Sequence, residues 1–220
     1  MLPWNQGEMN DMTTVAVLGT GRMGTALTKL LTETSATVWW SSRHPEGVAQ
    51  RHFSWANPVT FCTYQDALQA DVIIPALWYH DLMDWIADKT DPLSGKILVD
   101  ITNPFNAAFD DLTLECHTSA AEEIQARLPA TFVVGCFKNT FWSVLEDPRF
   151  EEPISDVFVT SDHAAAKSRV LALFQPLPFR FLDAGGLRNN RIIERMTVLA
   201  RELAIRYDHY PRVAYRLWGR

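Results

Sequence analysis

Val15-Ala16-Val17-Leu18-Gly19-Thr20-Gly21-Arg22-Met23-Gly24 begins as a short apolar run of strand character and ends in a Gly-x-Gly-x-x-Gly turn. Apolar residues then recur at Met23, Ala26, Leu27, Leu30 and Leu31, the i, i+3, i+4, i+7, i+8 spacing of a helix packed on a sheet. Ala36 to Trp40 reads as the next strand. Strand, glycine turn, helix and strand in about 30 residues form the opening unit of a dinucleotide-binding fold. In such a unit the first two glycines permit the tight turn and the approach of a pyrophosphate, and the third lets helix and strand pack closely. The N–H groups at the helix start then receive the phosphate charge.

Outward from this unit the alternation continues. Strands are predicted at Val59 to Cys62, Asp71 to Pro75, Lys96 to Asp100, Thr131 to Gly135, Asp156 to Thr160 and Pro178 to Leu182. Helices are predicted at Tyr64 to Gln69 and His80 to Asp88, from the cap Ser119 to Leu128, and from the cap Asp162 to Phe174. A loop-rich stretch fills Asn103 to Thr118. A long last helix places Ile192, Met196, Leu199, Ala200 and Leu203 on one face. The pattern predicts an α/β fold, a Rossmann-type doubly wound and mostly parallel sheet with a helical C-terminal extension. Residues 1–12 read as a flexible leader without signal-peptide character, and 13–187 as the nucleotide-binding domain. Residues 188–220 read as a C-terminal helix and basic tail, part of the same domain and an expected dimer contact.

The 220 residues carry 20 basic and 26 acidic side chains, a net charge of −6, and 47% are hydrophobic. This balance disfavours disorder and nucleic-acid binding, and no apolar run approaches the roughly 18 residues of a membrane span. Cys62, Cys116 and Cys136 are odd in number and widely spaced, which predicts reduced thiols in a cytoplasmic protein and neither a disulfide framework nor a zinc site. Histidines lack any ligand spacing, so no metal is expected. The charge is uneven: Arg188 to Arg220 holds eight Arg against Glu194, Glu202 and Asp208, a local +5 on a body of −11. Such an end reads as a solvated helix face, a subunit contact or an anion-binding arm.

The end of the second strand discriminates between cofactors. An acid about 20 residues after the glycines bonds the ribose hydroxyl of NAD. Here the segment is Ser41-Ser42-Arg43-His44, two hydroxyls and a guanidinium with no carboxylate, which predicts NADP(H). The switch-point rule puts the nicotinamide at the carboxyl ends of the central strands. Those ends supply Ala76, Leu77, Trp78 and His80, then Asn103 and Pro104, then Lys138, Asn139 and Trp142. Aromatics, Asn and one Lys suggest a flat-ring pocket, with Trp78 and Trp142 as walls. His80 reads equally as an acid/base group or as a helix-start histidine. Ser119 and Glu122 pair as a helix cap, and no Gly-x-Ser-x-Gly elbow is present.

From Val15 to Arg206 these residues resemble the NADP oxidoreductases that use the deazaflavin coenzyme F420. The anchors are Gly19-Thr20-Gly21-Arg22-Met23-Gly24, Ser41-Ser42-Arg43, Pro75 with Trp78-Tyr79-His80, Asn103-Pro104, Ser119 to Glu122, and Leu182 to Leu187 with Arg191 and Glu194. The same domain also resembles the cytoplasmic part of six-transmembrane metalloreductases. The resemblance implies NADP(H) as cofactor, a flavin or deazaflavin as small-molecule redox acceptor, a homodimer, and direct hydride transfer without a nucleophile. It implies that Thr20, Arg22, Met23, Ser41, Ser42 and Arg43 hold the adenosine and phosphate end, with His80 and Asn103 near the nicotinamide. Two departures stand out. Related sequences commonly read Lys-Ala-Phe-Asn-Thr where this chain has Cys136-Phe137-Lys138-Asn139-Thr140, and the tail Tyr210 to Arg220 is aromatic and Arg-rich. Two other readings share the glycine motif: an imine or β-hydroxyacid-type reductase, and a non-catalytic NADP(H) sensor. The first usually needs a helical dimerisation domain, for which about 33 residues after Leu187 are too few.

Overall fold

Along β1 (Thr14–Leu18), Val15 and Val17 enter one apolar core while Ala16 and Leu18 enter another. A strand buried on both faces requires helices on both faces, which is why its sequence is continuously apolar. The computed structural model describes residues 13–50, 53–150 and 154–219, so the expected leader at 1–12 lies outside the described residues. After β1 come α1 (Arg22–Leu31), β2 (Thr37–Ser41), α2 (Pro45–Ala49), β3 (Val59–Cys62), a 3-10 turn (Asp66–Gln69) and β4 (Val72–Pro75). Next are α3 (Tyr79–Ile86), α4 (Thr90–Leu93), β5 (Ile97–Asp100), α5 (Ala120–Arg127), β6 (Phe132–Gly135) and α6 (Trp142–Glu146). The chain then forms β7 (Asp156–Val159), α7 (Ala164–Phe174), β8 (Arg180–Asp183), a short 3-10 turn (Leu187–Asn189) and α8 (Asn190–Arg206).

Six strands pair in the order β3-β2-β1-β4-β5-β6, all parallel. This is the doubly wound order of a Rossmann-type fold, with its switch point between β1 and β4. Register aligns Cys62, Ser41, Leu18 and Pro75 along one end of β3, β2, β1 and β4, and Asp100 beside Gly135 at the same end of β5 and β6. Every candidate loop therefore leaves the same sheet edge. The predicted last two strands do not extend this sheet. β7 and β8 form their own parallel pair, joined to the end of β6 by the Gly135–Thr160 bridge.

One local expectation is corrected. Asp162 does not cap α7: its carboxylate accepts the Leu187 N–H at 2.9 Å, and the cap position belongs to His163, whose N–H donates to Ser161 Oγ. The apolar stripe of α8 is split, with Ala200 buried and Met196 half-buried. Ile192, Leu199 and Leu203 are exposed, and Ile193, Glu194, Thr197, Ala200 and Ala204 are buried. The inward face is small and polar because it closes on polar groups at the ends of β5 and β6. Ser119 does cap α5, receiving the Glu122 N–H at 3.3 Å while its hydroxyl donates to the Glu122 carboxylate at 2.8 Å. No helix among the described residues is long and apolar enough to cross a membrane.

Candidate functional site

The turn after β1 leaves no room for a side chain at Gly19 or Gly24, whereas a Cβ at Gly21 would meet nothing within 4 Å. Gly19 has φ +100°, and a Cβ there would lie 2.7 Å from the Ala76 carbonyl oxygen. A Cβ on Gly24 would lie 2.1 Å from the Gly19 carbonyl oxygen, so the third glycine lets α1 seat on the turn. The turn is pinned from β2: the Gly19 N–H donates to Ser41 O at 3.0 Å, and the buried Trp40 indole donates to Gly19 O at 2.9 Å. Sequence reading missed Trp40, whose only signal was an indole donor inside a buried strand. At Gly21, the cap of α1, no side chain accepts from the helix, and the first turn holds no acid. The first-turn N–H groups thus face outward at the positive end of a helix dipole. This cradle fits an anionic diphosphate. Thr20 accepts the Thr25 hydroxyl through its carbonyl, and Met23 packs against the core. Arg22 is exposed, its guanidinium carbon 4.6 Å from the Trp142 ring centroid.

At the end of β2 the two serines differ. Ser41 is buried and its hydroxyl donates to Val17 O at 3.1 Å, which ties β2 to β1. Ser42 Oγ accepts the His44 N–H at 3.1 Å and keeps its own proton for a ligand. Arg43 is exposed, and among the described residues no carboxylate pairs with it.

Ala76 and Leu77 wall the glycine turn, with Ala76 Cβ 3.3 Å and Leu77 Cδ2 3.4 Å from the Cβ positions of Gly24 and Gly19. His80 is exposed in the first turn of α3, beside the Tyr79 ring. Asn103 donates its amide to Lys138 O at 2.8 Å, while its Oδ1 is buried without a bonding partner. Pro104 is buried, and its carbonyl accepts the Thr113 N–H and hydroxyl. That pins the loop that carries Phe105 and Phe109. Phe109 sits at φ +60°, its ring centroid 5.6 Å from Trp78 and 5.7 Å from Phe105. A strained aromatic beside an exposed Trp78 forms an apolar rim on the loops that follow β4 and β5.

Lys138, expected in the pocket, is sealed away from it. Its Nζ donates to Thr102 O at 2.5 Å and to Glu194 Oε1 at 2.9 Å, and Asp100 Oδ2 approaches off the hydrogen-bonding axis at 2.6 Å. All three charged side chains are at most 1% exposed. Asp100 Oδ1 accepts from the Thr102 N–H and hydroxyl, and Glu194 accepts the Ala120 N–H. Lys138 O also accepts the Thr197 hydroxyl. Phe137, at φ +54°, turns the chain so that its own ring enters the core against Phe174, Phe179 and Phe181 while Lys138 points to the carboxylates. Burial pushes the Lys138 pKa down, but Asp100 and Glu194 outweigh it and raise the value. For Glu194 burial wins over the attraction of Lys138, and its pKa is raised. In the sequence Asp100 reads only as a strand end and Glu194 as an anchor of the resemblance, although an acid ending the apolar run Ile97-Leu98-Val99 was a signal.

The basic tail is a strap on its own chain. The Asp156 carboxylate, fully buried, takes two bonds from Arg180 at 2.7 and 2.6 Å, one from Arg216 at 3.2 Å and the Leu217 N–H at 2.6 Å. Burial opposes its ionisation, but the Arg180 and Leu217 bonds hold it below the ordinary carboxylate range. Arg212 donates to the Asp147 and Arg149 carbonyls, and Ser143 Oγ donates to Pro211 O at 2.6 Å. Arg212 also pairs with the Asp147 carboxylate, so two tail arginines, Arg212 and Arg216, have acid partners in the body of the chain. A cleft of about 380 Å³ lies between the Phe109 loop and α8, but Asp110, Asp111 and Glu202 line it together with Arg195 and Arg201. Mixed charge makes it a poorer anion site than the glycine turn.

Residues 14–104, from β1 through the Asn103-Pro104 turn, match the model of the family "NADP oxidoreductase coenzyme F420-dependent". Over that stretch, somewhat under half of its length, the chain is similar to this family. An F420-dependent NADP reductase of Methanocaldococcus jannaschii is 34% identical over 147 residues, 64% of this chain and 65% of that protein. The metalloreductase STEAP3 of Rattus norvegicus is 29% identical over 181 residues, 82% of this chain and 35% of that protein. This chain thus spans about two thirds or less of those relatives' lengths. A solved structure from Arthrobacter sp. FB24, provisionally assigned as an F420-dependent NADP reductase, superposes with TM-score 0.76 at 26% identity, covering 88% of this chain and 94% of that one. The family match spans the glycine turn, Ser41 to Arg43 and Asn103; Lys138, Trp142 and the strap lie beyond it.

Proposed function

We propose that this protein is an NADP(H)-dependent oxidoreductase that passes hydride between the nicotinamide and a flat-ring acceptor, a flavin or deazaflavin. The observation that carries the reading is the uncapped glycine turn beside Ser42 and Arg43, which has no carboxylate partner among the described residues, within the stretch that matches the NADP oxidoreductase family model. When bound, the nicotinamide supplies the hydride chemistry. The N–H groups of the α1 first turn bind the diphosphate, and Ser42 and Arg43 bind the 2′-phosphate. Trp78, Phe105 and Phe109 orient the acceptor ring and exclude water, with His80 and Asn103 near the reacting face. No nucleophile is needed, in keeping with a rim of rings and amides. Three unpaired thiols support a reducing, cytoplasmic setting.

The test mixes the full chain with NADPH and FMN, FAD or deazaflavin and follows absorbance at 340 nm. Oxidation with one acceptor is expected, together with a preference for NADPH over NADH that Arg43→Ala removes. Tight binding with no turnover for any acceptor would favour a sensor, and equal losses of both cofactors in Arg43→Ala would remove the 2′-phosphate assignment.

Two copies are proposed to pair through the exposed stripe Ile192, Leu199 and Leu203 of α8. Arg195 and Glu202 flank Leu199 at four and three residues, so an antiparallel helix pair brings opposite charges together. Leu199→Glu should leave a monomer in sedimentation, and an unchanged mass would remove the pairing.

A further inference from the structure

Arg22 occupies the first position of α1, where a cation opposes the helix dipole and an acid would be the stabilising choice. No carboxylate among the described residues pairs with it. Instead its guanidinium lies 4.6 Å from the centroid of Trp142, the first residue of α6. Stacking engages only the face of a guanidinium and leaves the in-plane N–H donors free for an anion. A long side chain otherwise loses rotamer freedom when it binds phosphate, and a ring that holds it beforehand removes part of that penalty.

Trp142 is itself held from the far end of the chain. Val144 and Leu145 of α6 are buried in the same core as Leu27, Leu30 and Leu31 of α1. The strap secures the outer side: Ser143 Oγ donates to Pro211 O, Arg212 donates to Asp147 O, and Phe141 meets the Tyr210 ring edge-on at 6.4 Å. The strap is anchored in turn on the buried Asp156 carboxylate through Arg216 and the Leu217 N–H. A continuous set of contacts thus joins Asp156, the tail, α6, Trp142 and Arg22.

From this arrangement we infer that Trp142 is a positioning residue for diphosphate binding, acting through Arg22, and that the C-terminal strap holds it in place. The inference rests on the nucleotide reading above and adds to it a residue that sequence alone read as pocket wall. Trp142 serves the phosphate end of the cofactor, not its nicotinamide ring.

Calorimetric titration of the full chain with NADPH and with 2′-phospho-ADP-ribose, which lacks the nicotinamide, tests it. Trp142→Ala is expected to weaken both ligands about fivefold, and Trp142→Phe, which keeps a π face, to recover most of that loss. Arg22→Ala should weaken both by about tenfold, and Trp142→Ala added to Arg22→Ala should cause no further loss. Ser143→Ala, which loosens the strap without touching the ring, should give a smaller loss of the same kind, about twofold. Additive losses in the double variant, or a loss for NADPH alone, overturn the inference, because Trp142 would then act as packing or as a nicotinamide contact. Unchanged binding in Ser143→Ala overturns the role of the strap. Wild-type protein that binds neither ligand overturns the nucleotide reading itself, whereas wild-type binding with an indifferent Trp142→Ala overturns only this step.

Discussion

The glycine turn and the Lys138 network stand at the same edge of one sheet and have opposite designs. At the turn, backbone N–H groups point outward, no side chain caps them, and the nearby Arg22 and Arg43 have no acid partners among the described residues. At the ends of β5 and β6, a lysine and two carboxylates are buried together, and Lys138 Nζ lies 2.5, 2.6 and 2.9 Å from Thr102 O, Asp100 Oδ2 and Glu194 Oε1. Charge density alone would have pointed to the second place. Unsatisfied donors point to the first. A binding site is where polar capacity is left over, and a dense, satisfied cluster is a joint.

That contrast is broken most easily at Lys138. Lys138→Met fits the volume but leaves Asp100 and Glu194 buried without their cation. A loss of about 3–5 kcal/mol is expected, since removing one member of a buried ion pair leaves uncompensated charge. Urea unfolding monitored by circular dichroism would read it. A loss below about 1 kcal/mol would mean that water reaches the carboxylates and the cluster is not closed.

The glycine turn answers a different substitution. In Gly24→Ala the new methyl meets the Gly19 carbonyl, which Trp40 and the β2 pairing hold in place. Overpacking against backbone should cost about 1–3 kcal/mol of stability. The N–H cradle should distort with it, so that NADPH binding falls by more than the stability does. Retained affinity in a destabilised Gly24→Ala protein would show that the cofactor does not use this turn.

The two regions were also unequally legible in the sequence. Val15 to Leu31 announces itself because strand, glycine spacing and helix period all lie within one contiguous stretch, and the parallel order follows from repeating that local pattern. The Lys138 joint depends on a partner 56 residues away, and nothing near Lys138 distinguishes a sealed ammonium from a pocket one. The same distance problem hides the packing of α8. Its apolar periodicity marks a face without saying what covers it, whereas Glu194 and Thr197 reach Lys138 and leave Ile192, Leu199 and Leu203 outward. The basic tail likewise hides its partners, because Arg212 bonds carbonyls 65 and 63 residues earlier. Carbonyl acceptors leave no trace in composition.

The smallest effect sharpens the contrast by pH. Glu194 has its folded pKa raised above the ordinary 4.5, because burial disfavours the carboxylate more than Lys138 favours it. The folded protein therefore holds this proton more tightly than the unfolded chain does. Its contribution to stability is fully present below the unfolded value and is lost as pH rises through the folded value. Lys138 is also raised, so its own contribution persists across that window and fades only well above neutrality, beyond 10.5. Asp156 runs the other way: with its pKa lowered, its contribution is present above the ordinary 3.8 and is lost as pH falls. Glu194→Gln should consequently remove a downward slope of stability on the alkaline side of pH 4.5 and leave the acid limb set by Asp156 intact. Unfolding free energies measured at intervals from pH 3 to 8 would separate the two limbs. Superimposable wild-type and Glu194→Gln profiles would mean that the Glu194 carboxylate is stabilised as well in the folded chain as in water, and that the joint is an ordinary solvated ion pair.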